Sequence, residues 1–493
     1  MNATQIILLI ASYFGLLIVI SYFTGKNDSN DTFFKGNKQS PWYVVAFGMI
    51  GASLSGVTFI SVPGMIGGQE FAYMQGVFGF FVGYLVIAFI LLPLYYKLNV
   101  TSIYEYLNQR FGIVSYKTGA FFFLLSRVTG ASFRLFLVAL AMQYIIFEEM
   151  GVPFWATVVI SILLIWIYTY RGGIKTIVWT DTLQTLAMLT AVGVAIYLIN
   201  QKFDWSFVEF LNSPEFDSKS KIFYFDDPYA KTYFWKYFIG GIFIAIAMTG
   251  LDQDMMQKNL TCKNQKDAQK NMLTMSTLLV IVNFVFLSLG ALLFIYADKF
   301  GLQIPVVDGR NRTDLLFPEI AMNQNLGTAL SVTFIIGLIA AAYSSADSAL
   351  TSLTTSFSVD FLNIHKKPFN QQKPLRKKVH IGVSILLVLV VILFNMLEGN
   401  VVGNLFKFAT FTYGPLLGLF AFGILTKFQI KDKLTWIVAL LSICISFGIT
   451  ILPESIIGAY KFHWEILPLN GLITFIGLLL IRKKGNLVVN QTN

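Results

Sequence analysis

The sequence Gly48-Met49-Ile50-Gly51-Ala52-Ser53-Leu54-Ser55-Gly56-Val57-Thr58 interrupts a long apolar run with three glycines and three hydroxyl side chains. Glycine costs about 1 kcal/mol relative to alanine inside a helix, and hydroxyl groups can bond to the backbone atoms that a broken helix leaves free. We therefore expect a helix that unwinds at this point and offers carbonyl oxygens to a cation. The alternative is close packing of helices through small residues.

The composition of the chain places this break inside a membrane. Of 493 residues, 56 % are hydrophobic and 13 % are charged, whereas soluble domains carry about 25 % charged residues. Thirteen apolar segments follow one another along the sequence: 5–25, 43–68, 74–96, 119–147, 153–170, 177–200, 233–257, 272–297, 326–362, 380–397, 401–426, 435–452 and 464–481. A helical first segment would be about 31 Å long, which matches the hydrocarbon core of a bilayer. We expect an all-α integral membrane protein with about 13 transmembrane helices.

The basic residues of the loops predict the orientation of the chain. With the N-terminus outside, 24 of the 36 Lys and Arg residues lie in cytoplasmic loops and the tail, and 8 lie in outer loops. Because Lys and Arg favour the cytoplasmic side, we expect an outside N-terminus and a cytoplasmic C-terminus. The expected location is the plasma membrane, or the inner membrane of a Gram-negative cell.

The same residues argue against other classes of protein. The net charge of +10 is spread over many loops rather than gathered in one patch, so a nucleic-acid partner is not expected. Two distant cysteines and three histidines give no cluster for a metal site or a catalytic triad. We therefore do not expect an enzyme.

A second interruption occurs in the seventh segment, at Gly240-Gly241 and at Met248-Thr249-Gly250. Segments two to six and seven to eleven form two sets of five. Because five is an odd number of membrane crossings, the second set starts on the opposite side of the membrane from the first. Two such sets are typical of inverted-repeat transporters, which bind their substrate near the membrane midplane. The expected organisation is an extra N-terminal transmembrane helix and cytoplasmic loop (1–42), a first repeat (43–200), an external loop (201–231), a second repeat (232–427), and two C-terminal transmembrane helices with the tail (428–493).

The ninth segment carries Ala340-Ala341-Ala342-Tyr343-Ser344-Ser345-Ala346-Asp347-Ser348. On a helical wheel its serines and Asp347 fall, with Ala341, within an arc of about 160°. Hydroxyl, carboxylate and carbonyl oxygens are hard donors that suit a hard cation, and a carboxylate in mid-membrane needs a partner that offsets its cost. The alternative is an acid that faces water or pairs with an arginine.

Other charged residues lie within or beside the apolar segments. Asp181 lies on the cytoplasmic side of the sixth segment, where a solvated helix end is the alternative. Arg127 and Arg134 in the fourth segment could neutralise a buried acid or extend towards the interface. Three further acids fall near cytoplasmic ends of segments and are expected at the interface: Asp252, Asp254 and Asp360.

Four motifs make the chain resemble the sodium/solute symporter family over nearly its whole length. These are 101–107 (TSIYEYL) with 110–112 (RFG); 172–174 (GGI) with 179–181 (WTD) and Gln184; Gln253 with Gln257-Lys258; and the Ala-Ser stretch of the ninth segment. The resemblance implies a LeuT-like five-plus-five inverted repeat. It also implies a secondary active transporter that imports a small organic solute with sodium by alternating access and functions as a monomer. The alternative is a non-transport membrane sensor or channel-like protein on the same fold.

The resemblance also implies where sodium binds. The principal site would use three carbonyl groups and two hydroxyl groups, from Gly51, Leu54, Ala341, Ser344 and Ser345. Some members of the family hold a second sodium nearby, and the matching positions here are Asp181, Ser344, Asp347 and Ser348. Asp347 departs from the serine of those members, so its carboxylate could instead serve a proton or a substrate amine.

A set of polar and aromatic residues near the midplane suits a small solute: Ser53, Ser55, Thr58, Thr249, Phe411, Thr412 and Tyr413. The polar residues that sugar carriers of the family place in the seventh segment match Ala245, Ala247 and Met248 here, which disfavours a sugar. The fourth-segment arginine of the sialic acid carrier matches Gly130 here, which disfavours sialic acid, although Arg127 and Arg134 lie one turn to either side. The expected partners are the solute, sodium and the lipid bilayer.

Overall fold

The computed structural model describes residues 3–26, 28–54, 56–143, 147, 150–307, 310–396 and 401–487. Most of these residues are helical, and each apolar segment predicted from the sequence overlaps a helix or a bent pair of helices. The helices of the apolar segments are α1 (Ala3–Thr24), α3 (Trp42–Ser53), α4 (Gly56–Gly64), α5 (Ile66–Gln69), α6 (Tyr73–Val86), α7 (Leu92–Leu98), α9 (Ile113–Met142), α10 (Phe154–Thr169), α11 (Ile174–Gln201), α14 (Phe234–Ala245), α15 (Gln253–Asn259), α16 (Gln265–Phe300), α18 (Thr328–Ser356), α19 (Phe369–Met396), α20 (Val401–Leu425), α21 (Thr435–Thr450) and α23 (Ile466–Leu480).

Shorter elements fill the connections. The short helices are α2 (Asn30–Lys35), α8 (Glu105–Arg110), α12 (Phe207–Leu211), α13 (Pro214–Asp217), α17 (Leu316–Asn323) and α22 (Glu454–Ile457). Single π-helical turns at Ile87–Leu91, Ile246–Gly250 and Phe357–Phe361 continue α6, α14 and α18, and 3₁₀ turns lie at Gly36–Lys38, Thr313–Leu315, Ile364–Lys366 and Asp432–Leu434. Two antiparallel pairs of strands, which the sequence did not predict, are β1 (Val306–Val307) with β2 (Arg310–Asn311) and β3 (Phe428–Ile430) with β4 (Arg482–Leu487).

Many of these helices are long and apolar enough to cross a membrane. Among the described residues seven single helices meet this test, and nine spans result if each of two bent pairs is counted as one. Large apolar side chains project outward from peripheral helices, as at Leu8 of α1, Leu163 of α10 and Leu441 of α21, each more than half exposed. Such a surface is favourable in lipid and unfavourable in water.

The two interruptions predicted from the sequence are bends. The α3 helix meets the following helical stretch at 62°, and the helix ending at Gly250 meets α15 at 71°. The Gly240-Gly241 pair, however, does not contribute to the second bend. Both glycines lie inside α14, where a Cβ at Gly241 would overlap the Gly76 carbonyl of α6, so they permit close helix contact instead.

The core of the molecule brings the two expected ion-binding segments together. The α18 helix is buried along most of its length and packs against α3, α4 and α11. The α11 helix in turn packs along α3. The first bend, Asp181 of α11 and the serines of α18 therefore lie around one region.

Candidate functional site

The first bend is flanked by glycines that allow α3 to approach α11. A Cβ at Gly48 would lie 3.1 Å from Cβ of Asp181, and a Cβ at Gly51 would overlap Oγ1 of Thr185. Thr185 Oγ1 accepts a hydrogen bond from the Gly51 amide (3.1 Å) and donates to the Asp181 carbonyl (2.8 Å). The glycines therefore allow close packing of helices, which was the alternative to a bend, and the bend is also present directly after Ser53.

Buried hydroxyl groups without partners face this part of the core. Among the described residues, the Oγ atoms of Ser345 and Ser348 on α18 are buried and make no hydrogen bond, whereas the buried Oγ of Ser53 at the bend lies beside the Tyr84 hydroxyl. Leaving such a group unpaired costs about 1–3 kcal/mol. Hard oxygen donors in this state suit a sodium ion, so the residues present fit the ion that the sequence predicts. Ser55 lies outside the described residues.

Asp181 is the centre of a buried polar cluster. Its Oδ1 accepts a hydrogen bond from Ser344 Oγ (2.8 Å), and with its amide oriented to satisfy both of its ends, Gln184 donates to the same oxygen (3.1 Å). Its Oδ2 forms an ion pair with Lys258 Nζ (2.7 Å), and both side chains are 1 % exposed. The alternative of a solvated helix end is therefore wrong for Asp181.

Asp347 lies beside this cluster with partners of its own. Its Oδ2 accepts a hydrogen bond from the Tyr168 hydroxyl (2.8 Å), and its Oδ1 accepts one from the Ser348 amide (2.6 Å). Among the described residues no cation lies within ion-pair distance of this carboxylate, although it interacts electrostatically with Asp181 and Lys258. The Ser348 hydroxyl is buried and makes no hydrogen bond within the same part of the chain.

The second bend is held by hydrogen bonds from tyrosine side chains. The Tyr95 hydroxyl donates to the Gly250 carbonyl (2.9 Å), and the Tyr104 hydroxyl donates to the Leu251 carbonyl (3.0 Å). The Gln253 amide donates to the Thr101 carbonyl (2.9 Å) and its oxygen accepts from the Ile103 amide (2.9 Å). Tyr95 of α7 and Tyr104 of the 101–107 motif thus bind the two carbonyl groups at this bend.

Charged side chains also hold the second bend in place. Arg127 of α9 forms ion pairs with Asp254 and, at 3.8 Å, with Asp252. Asp252 also accepts a hydrogen bond from the Tyr413 hydroxyl. Arg134 interacts electrostatically with Arg127, Tyr413 and Asp252.

The three acids that the sequence places near the ends of membrane segments are buried inside the protein. Asp252, Asp254 and Asp360 are all fully buried, because each has found partners in the fold. Asp360 accepts hydrogen bonds from Ser102 (2.8 Å) and Tyr116 (2.9 Å).

The residues expected to bind the solute divide into separate groups. Ser53 and Thr249, one beside each bend, both approach the hydroxyl of Tyr84 on α6, a residue that the sequence analysis missed. Thr58 is partly buried on α4. The available signal for Tyr84 was a mid-span tyrosine that follows two glycines, Gly79 and Gly83.

The three consecutive α20 residues point in different directions. Thr412 accepts a hydrogen bond from Ser126 of α9 (2.6 Å), and Tyr413 reaches Asp252. The Phe411 ring packs edge-on against Phe447 of α21, with ring centroids 5.8 Å apart. Phe411 is therefore turned away from both bends, since residues one apart on a helix differ by about 100°.

Known proteins resemble this chain over most of its length. It is 26 % identical over 430 residues to the sodium/sialic acid symporter NanT of Aliivibrio fischeri, covering 84 % of this chain and 82 % of that protein. The sodium/sialic acid symporter SiaT of Proteus mirabilis is also 26 % identical, over 427 residues and the same shares. A solved structure of a Na⁺-coupled sialic acid symporter in a substrate-bound outward-open state superimposes with a TM-score of 0.81 at 21 % identity, covering 97 % of this chain and 99 % of that one.

The structural likeness shows that the fold is that of a membrane transporter. The sequence model of the sodium:solute symporter family matches residues 33–432, which include both bends, the acidic cluster and the serines of α18. The four motifs on which the resemblance rested lie inside this range. The chain belongs to the sodium:solute symporter family.

Proposed function

We propose that this symporter binds one sodium ion between the first bend and α18, and imports a small organic solute bound between the two bends. The observation that carries the proposal is the buried hydroxyl group of Ser345, which has no hydrogen-bond partner among the described residues and lies beside a 62° break. The sodium ligands would be the carbonyl groups of Gly51, Leu54 and Ala341 and the hydroxyl groups of Ser344 and Ser345. As the transported ion, sodium would supply the driving force from its gradient.

The solute would lie next to this ion, near Ser53, Thr249 and Tyr84. The hydroxyl groups of Ser53 and Thr58 on the first bend and of Thr249 and Thr412 near the second give hydrogen-bonding groups for a small polar molecule. Phe411 is excluded from this set by its contact with Phe447. Tyr413 would act indirectly, through its hydrogen bond to Asp252 at the second bend.

The acidic cluster is proposed as a candidate second sodium site. It comprises Asp181 and Asp347 with the hydroxyl groups of Ser344 and Ser348. Two carboxylates in one buried region repel each other unless a positive charge or a proton lies between them. The Ser348 hydroxyl, which has no hydrogen-bond partner within the part of the chain that the structure describes, supports a polar occupant.

The proposed architecture has thirteen spans, with an outside N-terminus and a cytoplasmic C-terminus in the cell membrane. Both predicted repeats, 43–200 and 232–427, begin with a bent pair, which supports a five-plus-five inverted arrangement around a central site. A cysteine placed beside Lys366, in a chain with Ser at positions 262 and 444, should resist an impermeant thiol reagent in intact cells. Labelling there would contradict the orientation.

Uptake into proteoliposomes tests the function. An inward sodium gradient should drive saturable accumulation of at least one solute from a panel that includes sialic acid, the substrate named for two relatives. A potassium gradient of equal size is the control and should drive none. Non-saturable flux that runs equally well without a sodium gradient would indicate a channel, and binding without flux would indicate a sensor.

A further inference from the structure

The N-terminal helix α1 packs against the helices that carry the proposed ion site, although it lies outside both predicted repeats. It contacts α10, α11 and α18. Its inward face is buried at Tyr13, Phe14, Leu17 and Ser21, whereas Leu8 on its outward face is 62 % exposed. A helix that served only as a membrane anchor would not need polar side chains on its buried face, since burying such groups is costly unless they are hydrogen-bonded.

Tyr13 begins a chain of hydrogen bonds that ends at a proposed sodium ligand. Its hydroxyl donates to the side-chain oxygen of Gln184 (3.3 Å), and the Gln184 nitrogen donates to Asp181 Oδ1 (3.1 Å). Ser344 Oγ donates to the same carboxylate oxygen (2.8 Å). Gln184, Asp181 and Ser344 are fully buried, so a bond lost from this chain is not replaced by bulk water.

The direction of these hydrogen bonds prepares Ser344 for a cation. A serine hydroxyl has one proton and two lone pairs. Because Ser344 gives its proton to Asp181, its lone pairs remain available for a hard cation such as sodium. Tyr13 bonds the Gln184 oxygen, so that the amide presents its nitrogen and not its oxygen to Asp181.

Two more contacts join α1 to the same region. Ser21 Oγ donates to the Tyr168 carbonyl (2.5 Å), and the Tyr168 hydroxyl donates to Asp347 (2.8 Å). The Phe14 ring packs edge-on against Tyr343, the residue directly before the proposed ligands on α18, with ring centroids 4.9 Å apart. The position of α1 is therefore fixed relative to the acidic cluster and the serines.

We infer that Tyr13 is a positioning residue for sodium binding, and that α1 thereby supports an ion site built by the two repeats. The inference rests on the proposed principal sodium site. Tyr13 acts through Gln184 and Asp181, which hold the Ser344 hydroxyl in place, and it does not contact the ion itself. The affinity for sodium is therefore set in part by a helix that contributes no ligand.

Equilibrium binding of radioactive sodium to the purified full-length chain tests this role without knowledge of the solute. Tyr13→Phe keeps the ring and removes the hydroxyl group, and should weaken sodium binding by about 2- to 12-fold, the change expected for one hydrogen bond. Tyr22→Phe is the matched control, because Tyr22 lies on the same helix and is 65 % exposed. It should leave sodium affinity unchanged.

A double-mutant cycle separates positioning from general packing. Gln184→Met breaks the chain at its next member, and should weaken sodium binding at least as much as Tyr13→Phe. In the Gln184→Met background, Tyr13→Phe should have no further effect on sodium affinity, because the hydroxyl is then no longer linked to Ser344. Gln184→Met alone tests the chain if Tyr13→Phe does not fold.

The outcomes separate this inference from the function on which it rests. Unchanged sodium affinity in folded Tyr13→Phe or in folded Gln184→Met would overturn the positioning role and leave the principal site intact. An equal loss from Tyr13→Phe in the wild-type and Gln184→Met backgrounds would do the same. No saturable sodium binding by the wild type would reject the principal site and the inference together.

Discussion

The two bends have similar angles but opposite polar surroundings. At the first bend, the buried hydroxyl group of the facing Ser345 has no partner among the described residues. At the second, tyrosine hydroxyls bind the released carbonyl groups of Gly250 and Leu251. The polar backbone atoms at a break in a membrane helix need partners. The difference between the two bends indicates that an ion supplies these partners at the first bend and that protein side chains supply them at the second.

The charged residues follow the same division. The second bend is tied to α9 by Arg127 and to α20 by Tyr413, which makes it a fixed support for α15. The first bend is flanked by glycines and serines and carries no charge of its own. We therefore regard the second bend as a structural element. We regard the first bend as the place where ligand binding stabilises the protein.

The largest expected effect concerns the charged clamp at the second bend. Arg127→Met removes the ion-pair partner of two buried carboxylates, which should destabilise the protein by about 3–5 kcal/mol. Thermal unfolding of the purified protein in sodium-free detergent solution measures this loss. Arg127→Met with Asp254→Asn should recover part of it.

The matched control for this prediction is Arg312→Met. Arg312 pairs with Asp314 at 2.8 Å on the exposed outer surface, where an ion pair contributes about 0–1 kcal/mol. Equal stability of Arg127→Met and the wild type would show that the second bend does not depend on its charges, and the contrast between the bends would weaken.

A smaller effect is expected for steric change at the first bend. Gly51→Ala forces a Cβ against Thr185 Oγ1, and overpacking of this kind costs about 1–3 kcal/mol. Because the displaced α3 also carries the proposed carbonyl ligands, sodium affinity should fall together with stability. Gly130→Ala on α9, where an added Cβ meets nothing within 4 Å, should change neither quantity, and an unaltered sodium affinity in Gly51→Ala would argue against a ligand at this position.

The smallest effect is expected for a single clamp tyrosine. Tyr95→Phe removes one hydrogen bond to the Gly250 carbonyl, which should cost about 1 kcal/mol of stability and leave sodium affinity nearly unchanged. Tyr197→Phe, at an exposed tyrosine, serves as the control in the same unfolding measurement. A large loss of sodium affinity in Tyr95→Phe would mean that the second bend belongs to the ion site.

The positions of both bends could be predicted from the sequence because glycine and hydroxyl residues are conspicuous inside apolar runs. The sequence also singled out the serines of α18 and Asp181, because polar residues inside apolar segments are costly, and the structure brings Ser344 and Asp181 into contact. Each of these signals is local, so a single segment of sequence was enough to show it.

The partners of these residues were harder to predict, because they depend on the directions in which distant helices leave their bends. Lys258 was counted with the basic residues of a cytoplasmic loop, yet the turn before α15 buries it against Asp181. Asp252 and Asp254 were expected at the interface, and Arg127, over 120 residues away in the sequence, keeps them buried. The direction of the Phe411 side chain could not be predicted for the same reason, because it depends on packing against α21.

Sodium binding by Ser345→Ala, compared with Ser352→Ala, tests the central claim most directly. Both serines lie on α18 two turns apart and on nearly the same face, but the Ser352 hydroxyl already donates to the Ala349 carbonyl (3.1 Å), whereas that of Ser345 has no partner within the described chain. Ser345→Ala should weaken sodium binding by about 1–3 kcal/mol, or about 5- to 150-fold, and Ser352→Ala should leave it unchanged. Equal sodium affinity in Ser345→Ala and the wild type, with both proteins folded, would contradict a sodium site between the first bend and α18.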